Sequence, residues 1–559
     1  MCCFERLTRN AFRLFLPHAL ALCAALGACG HARATTFYVR SDGGDASQCT
    51  GRVDAAYAGS GQTQACAWKH PAIALPTSDV ARIAGGDTLI IGAGSYMIGW
   101  GAPDAASSRC ASSFPWDCFL AAVPSGPSAN TPTRILGRGY DNACPAPPQL
   151  WGTERVHKVL NLDGSSNIEI GCLEITDHSD CVEFHSDSAS RCERDSAPYG
   201  AWASAGLTAS ASSHVWLHDL NIHGLANVGV YAGGLSNWTV ERVRIAANGW
   251  VGWNGDIGSG SSNSGPIVLR HVEIAWNGCG ERWQTGVIHA CWAQQAGGYG
   301  DGLGTASTGG QWLVEDSYIH HNTSDGLDLL YLDGAPTTSV VVRRVRAEGN
   351  AGNQIKTRGA ALIENSIVDG NCAYFLGRDA MTADDQCRAF GNTLSIGLVA
   401  GQTATIRHNT ITGEGDCLLL TTGGSATSHV MVQNNALIGQ IDWRGAQGTP
   451  GELTCGHYAE DDQAMVEFSG NAFWHVKYDQ CPPGSQCAQN PQLSDMSLAS
   501  FNALPLTGSP LIDAAPSLAS VIDDYFGHPR PAGAAADIGA IEVQPSGDLI
   551  FANGFEGAL

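Results

Sequence analysis

Two stretches twenty-eight residues apart, His321-Asn322-Thr323-Ser324-Asp325-Gly326-Leu327-Asp328-Leu329 and Gly349-Asn350-Ala351-Gly352-Asn353-Gln354-Ile355-Lys356-Thr357, align without a gap. The alignment sets Asp328 opposite Lys356 and Asp325 opposite Asn353, so carboxylates on one turn of a repeat lie beside an amine on the next. That arrangement points to chemistry on a polyanion. Leu327 and Ile355 take the same inward position, which turns Asp328, Lys356 and, two residues on, Arg358 outward. Asp325 at the preceding turn and Asp301 in Gly300-Asp301-Gly302-Leu303-Gly304 are expected to converge on the same spot, where three carboxylates with backbone oxygens suit Ca2+. The plain alternative is a cross-strand salt bridge worth about a few tenths of a kcal/mol, with Asp-Gly as an ordinary turn.

The elements that must hold these residues repeat. From about residue 160 to 440 the chain returns to the pattern apolar-x-apolar-x-x-any-x-apolar, with its clearest copies starting at Ile168, Val215, Trp238, Ile267, Trp312, Val340, Ala361, Ala404 and Val430. The unit is about twenty to thirty residues, or twice that where one copy is obscured. Alternation inside each copy indicates strands, and such units bury a face only by stacking, with inward ladders such as Val340, Val342 and Val345. A leucine-rich horseshoe has a similar period, but its Leu-x-x-Leu-x-Leu pattern is missing.

This repeat resembles the right-handed parallel β-helix of the pectate-lyase type. Asn248, Asn277, Asn322, Asn350 and Asn371 fall in register ten residues after their copy starts, as an Asn ladder at one turn of that fold would, satisfying turn backbone groups. Thr36–Gly44, Gly86–Ile91 and Gly94–Tyr96 look like the opening of secreted β-helix proteins, and Gly508–Asp513 with Asp537–Glu542 like their closing segment. The expected organisation is a signal peptide over 1–34, an N-terminal cap with the first coils over 35–155, the β-helix over 156–445, a closing segment over 446–545 and a tail over 546–559. For the tail, a sorting signal and a frayed terminus both remain open.

The site itself is similar to that of family 9 pectate lyases, which carry Asp-Asp-Gly-x-Asp and, one coil on, Gly-Asn-Gly-Phe-Lys. This chain has Ser324-Asp325-Gly326-Leu327-Asp328 and Gly352-Asn353-Gln354-Ile355-Lys356. The resemblance implies Asp325 and Asp328 as calcium ligands and Lys356 as the base of a β-elimination on a uronan, while Ser324 departs from one family aspartate. It covers about thirty residues. A lysine base must be neutral, so positive charge from Arg358 and the cation must outweigh the carboxylates. A polygalacturonase-like hydrolase fits less well, because no second carboxylate pair is present to act as general acid and base. A non-catalytic surface or adhesive β-helix protein is the competing class.

Composition bounds the setting. Arg6, Arg9 and Arg13, an apolar stretch Ala19–Ala28 and Ala32-Arg33-Ala34 read as an export leader; Leu26-Gly27-Ala28-Cys29 alternatively reads as a lipoprotein box. No later stretch has the roughly twenty apolar residues of a membrane span. Twenty cysteines, sixteen of them beyond the leader, suit disulfides in an oxidising compartment, with Cys279/Cys291, Cys372/Cys387 and Cys481/Cys487 as close pairs. A formal charge of −23 argues against nucleic acid as a partner; an acidic polysaccharide or other glycan and a monomeric chain are expected. Trp283 and Trp292, near Cys279 and Cys291, either stack on sugar rings or fill the core of their loop.

Overall fold

In the computed structural model, the described residues are 34–544 apart from 78–79, 104–109, 193–196, 258–261, 293–299, 376–390, 442–450, 461–463 and 478–480. The leader, Cys29, Cys387 and the tail therefore lie outside the described residues. From Thr36 onward the described residues belong to one compact unit, in which helix is limited to Pro71–Ala74 and the 3-10 turns Pro115–Asp117 and Cys372–Phe375.

Strands stack in parallel, each on its counterpart one coil away. Thr36–Gly44 pairs with Thr88–Ile91, then Thr133–Gly137, then Ser166–Asp177, and the series continues through Ser213–His223, Ser236–Ala246, Ser264–Ala275, Gln311–His320 and Ser339–Glu348. A separate ten-stranded parallel sheet runs from Leu160–Asn161 to Cys455–Glu460 and contains Leu327–Asp328 and Ile355–Arg358. The fold is a right-handed parallel β-helix, with the hand that parallel crossovers take in nearly all proteins. Parallel pairing runs on past residue 445, as far as Gln486–Cys487 against Ala472–Trp474.

The repeat pattern has a conformational cause. Its fifth position, Cys172, Asp219, Arg242, His271, Asp316, Arg344, Asn365, His408 and Asn434, has φ between 49° and 57° in every copy. One left-handed residue turns the strand and shifts its inward phase, which is why alternation breaks in mid-pattern. Asn, Asp and His tolerate that conformation best among residues with a Cβ, and they hold six of the nine positions. The copy starts Ile168, Val215, Trp238, Ile267, Trp312 and Val340 form an unbroken buried column. Three residues after the copy starts from Trp238 to Ala404, an outward column alternates in charge, Glu241, Arg270, Glu315, Arg343, Glu364, Arg407, with Arg270–Glu315 and Arg343–Glu315 at 2.5 Å.

The asparagine ladder forms from Asn248 to Asn350. Asn248 Nδ2 donates to Asn277 Oδ1 (2.9 Å), Asn277 to Asn322 (2.8 Å) and Asn322 to Asn350 (2.8 Å). Its next rung is Gln354, whose Oε1 accepts from Asn350 Nδ2 at 2.8 Å, and not Asn371, which donates to the Leu498 carbonyl at 3.4 Å. Gln354 lies only four residues on and has the extra methylene needed to reach back to the same amide. A second ladder, Asn409–Asn435–Asn471, continues the device. The ladder also sets a glycine requirement: a Cβ on Gly326 would sit 2.5 Å from the Gln354 carbonyl oxygen and 2.8 Å from Asn350 Nδ2.

The closing segment packs Leu493, Phe501, Leu511, Ile538 and Ile541 against Ile367, Ala436 and Ile438. Arg530 is buried there, donating to the carbonyls of Asp537, Gly539 and Ala540. Disulfides link Cys49–Cys66, Cys110–Cys118, Cys144–Cys172, Cys181–Cys192, Cys279–Cys291, Cys417–Cys455 and Cys481–Cys487.

Candidate functional site

The ten-stranded sheet places the chemistry. Leu303, Leu327 and Ile355 pair in register and are fully buried. One position after each lies an outward column, Asn254–Gly304–Asp328–Lys356–Ser395. Two positions before each lie Asp301, Asp325 and Asn353, at the turn entering the strand; the equivalent residues of earlier coils are the apolar Val228 and Val251. The acidic site is therefore a change of side chain on an unchanged scaffold.

Asp325 is its hub. Oδ1 accepts from the Asn353 backbone N–H (2.6 Å) and from Asn353 Nδ2 (3.0 Å), and Oδ2 faces Lys356 Nζ at 2.6 Å. Asp328 Oδ2 lies 3.5 Å from the same amine, while its Oδ1 accepts from the Leu330 N–H. Asp301 Oδ1 accepts from the Asp325 N–H (3.0 Å) and the carboxylate also takes a hydrogen bond from the Ser324 side chain. One carboxylate oxygen from each of the three aspartates falls within 4.8 Å of the others. The closer partner of Lys356 is Asp325, not the directly opposed Asp328, because the lysine stem reaches diagonally back to the turn. Gly352 makes room: a Cβ there would meet Asp325 Oδ1 at 2.2 Å.

Burial and mutual repulsion dominate the electrostatics. Burial, then the Asp325 and Asp328 charges, push Asp301 up to about 7. Asp328 is raised as well, by burial first. Burial would lower Lys356, but the charges of Asp325, Asp328 and Asp301 outweigh it and hold the amine protonated. Three carboxylates thus share one ammonium. A donor set of hard oxygens, with more negative charge than its single lysine compensates, fits Ca2+, for which Asp301, Asp325 and Asp328 would be the ligands. Ser324 donates to Asp301 and adds no fourth carboxylate.

The other predicted residues are spread more widely. Arg358 is exposed at the end of the lysine strand, in register with Gly397. Trp292 is half-buried beside the cluster turn: its carbonyl accepts from Thr323 Oγ1 at 2.9 Å, and its ring tilts against His185. Trp283 contacts an earlier coil, stacked at 3.5 Å on His178, which stacks in turn on Trp151. It lies in the hairpin of Gly280–Arg282 and Val287–His289, held there by Arg282–Asp180 and by His223 between Glu281 (2.5 Å) and Glu174 (3.0 Å). Two supporting residues escaped the sequence reading. Asn353 orients Asp325, and Ser395 Oγ donates to Asn353 Oδ1 at 2.8 Å. The alignment of Asn353 with Asp325 was the available signal; Ser395 had none, because its coil follows a long insertion.

No family model matches the chain, and no curated protein matches it in sequence. Among solved structures it is similar to the pectate lyase Pel9A, at 13% identity over 91% of this chain and 96% of that one, with a TM-score of 0.42. An alginate lyase from Paenibacillus sp. str. FPU-7 is 16% identical over 70% of this chain and 93% of that one (TM-score 0.33), and the PL6 family alginate lyase AlyGC is 13% identical over 73% and 51% (TM-score 0.36).

Proposed function

We propose that the chain is an exported polysaccharide lyase that cleaves an acidic, uronate-containing polysaccharide by β-elimination, with Asp301, Asp325 and Asp328 holding Ca2+ and Lys356 as the base. The observation that carries the reading is the three-carboxylate cluster with Lys356 Nζ 2.6 Å from one member, on the outward side of a rigid parallel sheet. When bound, the cation would neutralise the uronate carboxylate and acidify the hydrogen on the neighbouring C5. In this reading Lys356 takes that proton. The electron pair left on C5 forms the C4–C5 double bond as the C4–O bond breaks, and the departing oxygen is protonated from solvent. Arg358, exposed on the same outward face, supplies positive charge toward the substrate carboxylate.

Lys356 accepts a proton only as the neutral amine, and its carboxylate neighbours keep it charged. Engaging those carboxylates as ligands removes the charge that holds the proton on the amine. A net charge of −23 repels a polyanion, so substrate binding should also require the divalent cation. Export is supported by the disulfides.

The second reading, a non-catalytic β-helix, is favoured by the closeness of the ion pair itself, since a 2.6 Å lysine–carboxylate contact also makes a static tie between coils. The test is ultraviolet absorbance of unsaturated products from a panel of uronans, with calcium, with chelator, and with Lys356→Ala. Calcium-dependent signal lost in the variant supports the lyase; silence from folded protein across the panel supports the binding or structural reading.

A further inference from the structure

The outward column that carries Asp328 and Lys356 continues past the cluster in both directions. It runs back through Gly304 and Asn254 to Tyr231, and on through Ser395 and Leu420 to Tyr458, in register at every step. The two end members stand out from the surface, Tyr231 37% and Tyr458 41% exposed, whereas Asp328 and Ser395 at the centre are buried. Gly304 and Ser395, the neighbours of Asp328 and Lys356, keep this middle stretch low, and a Cβ on Gly304 would already come within 3.0 Å of Asp301 Oδ2.

The spacing of the column matches a polymer. Parallel rungs are about 4.8 Å apart, close to the rise of one pyranose along an extended chain, so a polysaccharide laid along the coil axis meets one column member per sugar. Tyr231 lies three rungs before Asp328 and Tyr458 three rungs beyond Lys356, about 14 Å in each case, so the two rings stand symmetrically about the cluster. A tyrosine ring offers its apolar face to the apolar face of a sugar while its polar end stays wet. The Tyr231 hydroxyl donates to the Asp256 carbonyl at 3.3 Å, which fixes the direction of that ring. Its neighbours in the column, Thr208 and Asn254, give it no aromatic or large apolar side chain to pack on.

We infer that the column is a linear track for about eight units of a uronate polymer, with Tyr231 and Tyr458 stacking on the end sugars. The polymer is thereby held on both sides of the bond that breaks, and cleavage falls inside the chain. The inference rests on the lyase reading of the cluster and adds to it the direction, length and end contacts of the substrate. Contacts this far from the reacting atoms serve long chains and give nothing to short ones, because only a long chain carries their binding energy to the cluster.

The experiment compares kcat/KM in millimolar Ca2+ for galacturonate and alginate oligomers of three and of eight units, with the full chain as parent and with Tyr231→Ala, Tyr231→Phe, Tyr458→Ala and Tyr458→Phe. A three-unit chain seated across the cluster reaches neither tyrosine. In the parent the eight-unit probe should be preferred about tenfold, and that ratio should fall about fivefold in each Ala variant and little in each Phe variant, which keeps the ring. The parent should also cut the eight-unit chain near its middle. Because the ratio is taken within one variant, a structural disturbance that reaches the cluster lowers both rates and leaves the ratio unmoved. A parent ratio near one, a ratio that the folded Ala variants leave unchanged, or release of units from one end only overturns the track while the lyase reading stands. Absence of product from every probe with folded parent overturns the lyase reading and the track with it.

Discussion

Replacing Lys356 by Met separates a cation site from a plain salt bridge. The amine lies 2.6 Å from Asp325 Oδ2 and 3.5 Å from Asp328 Oδ2, with only 12% of its side chain exposed. Methionine keeps most of the stem's volume but leaves three buried carboxylates without their ammonium. Removing one partner from a buried ion pair costs about 3–5 kcal/mol, because the other charge stays desolvated. Part of that is recovered as Asp301, already raised to about 7, takes a proton, so about 3 kcal/mol of local destabilisation is the expectation. That corresponds to about a hundredfold loss of hydrogen-exchange protection. The amides to follow are Asn353, which donates to Asp325, and Gly326, which donates to the Asn353 carbonyl. In chelator, Lys356→Met should lose this protection; in millimolar Ca2+ it should regain it, since a ligand that binds only the folded state stabilises by mass action. The variant should bind Ca2+ more tightly than the parent while giving no product, because its competing internal cation is gone. Protection lost in chelator and not restored by Ca2+ would leave only the static salt bridge, and protection unchanged in chelator would refute the electrostatic reasoning altogether.

Three further outcomes are expected. Asn322→Ala removes a rung that donates to the Ile274 carbonyl (3.2 Å) and to Asn350, and that accepts from Asn277; each orphaned buried group costs about 1–3 kcal/mol, which should appear as a lower denaturation midpoint. Gly326→Ala forces a Cβ to within 2.5 Å of the Gln354 carbonyl oxygen, so it should displace the strand bearing Asp328 and abolish both calcium binding and product formation; an active variant with normal calcium affinity would contradict the packing argument. His223 is opposed by burial but raised to about 9 by Glu174 and Glu281. Its folded value lies above the unfolded one near 6.5, so its stabilisation is fully present below pH 6.5 and is lost as pH rises through 9. The amount is up to about 3 kcal/mol. Denaturation of parent and His223→Gln at pH 6 and pH 9.5 checks this, and equal pH dependence in the two proteins would count against it.

Much of this protein is decided along the chain. Alternation and in-line asparagines are local, so the coils and the register of Asp328 with Lys356 were readable without coordinates, whereas the left-handed residue at the fifth place of each copy shows only in the backbone. The inward places of Trp238 and Trp312 followed from the same periodicity. What the periodicity could not convey is which of several nearby groups a side chain selects. Lys356 has carboxylates three residues apart within reach and takes Asp325, because its flexible stem reaches back to the turn. Gln354, not Asn371, completes the first ladder for a related reason: backbone turns between coils vary in length, and the amide that arrives at the right height wins. The pairing of Trp283 with His178, the hydrogen bond between the buried Arg530 and His408 and the ion pair of Arg138 with Asp54 all join residues far apart in sequence. Such contacts are set by how loops of different length fold back over the coils, and only the tertiary structure decides them.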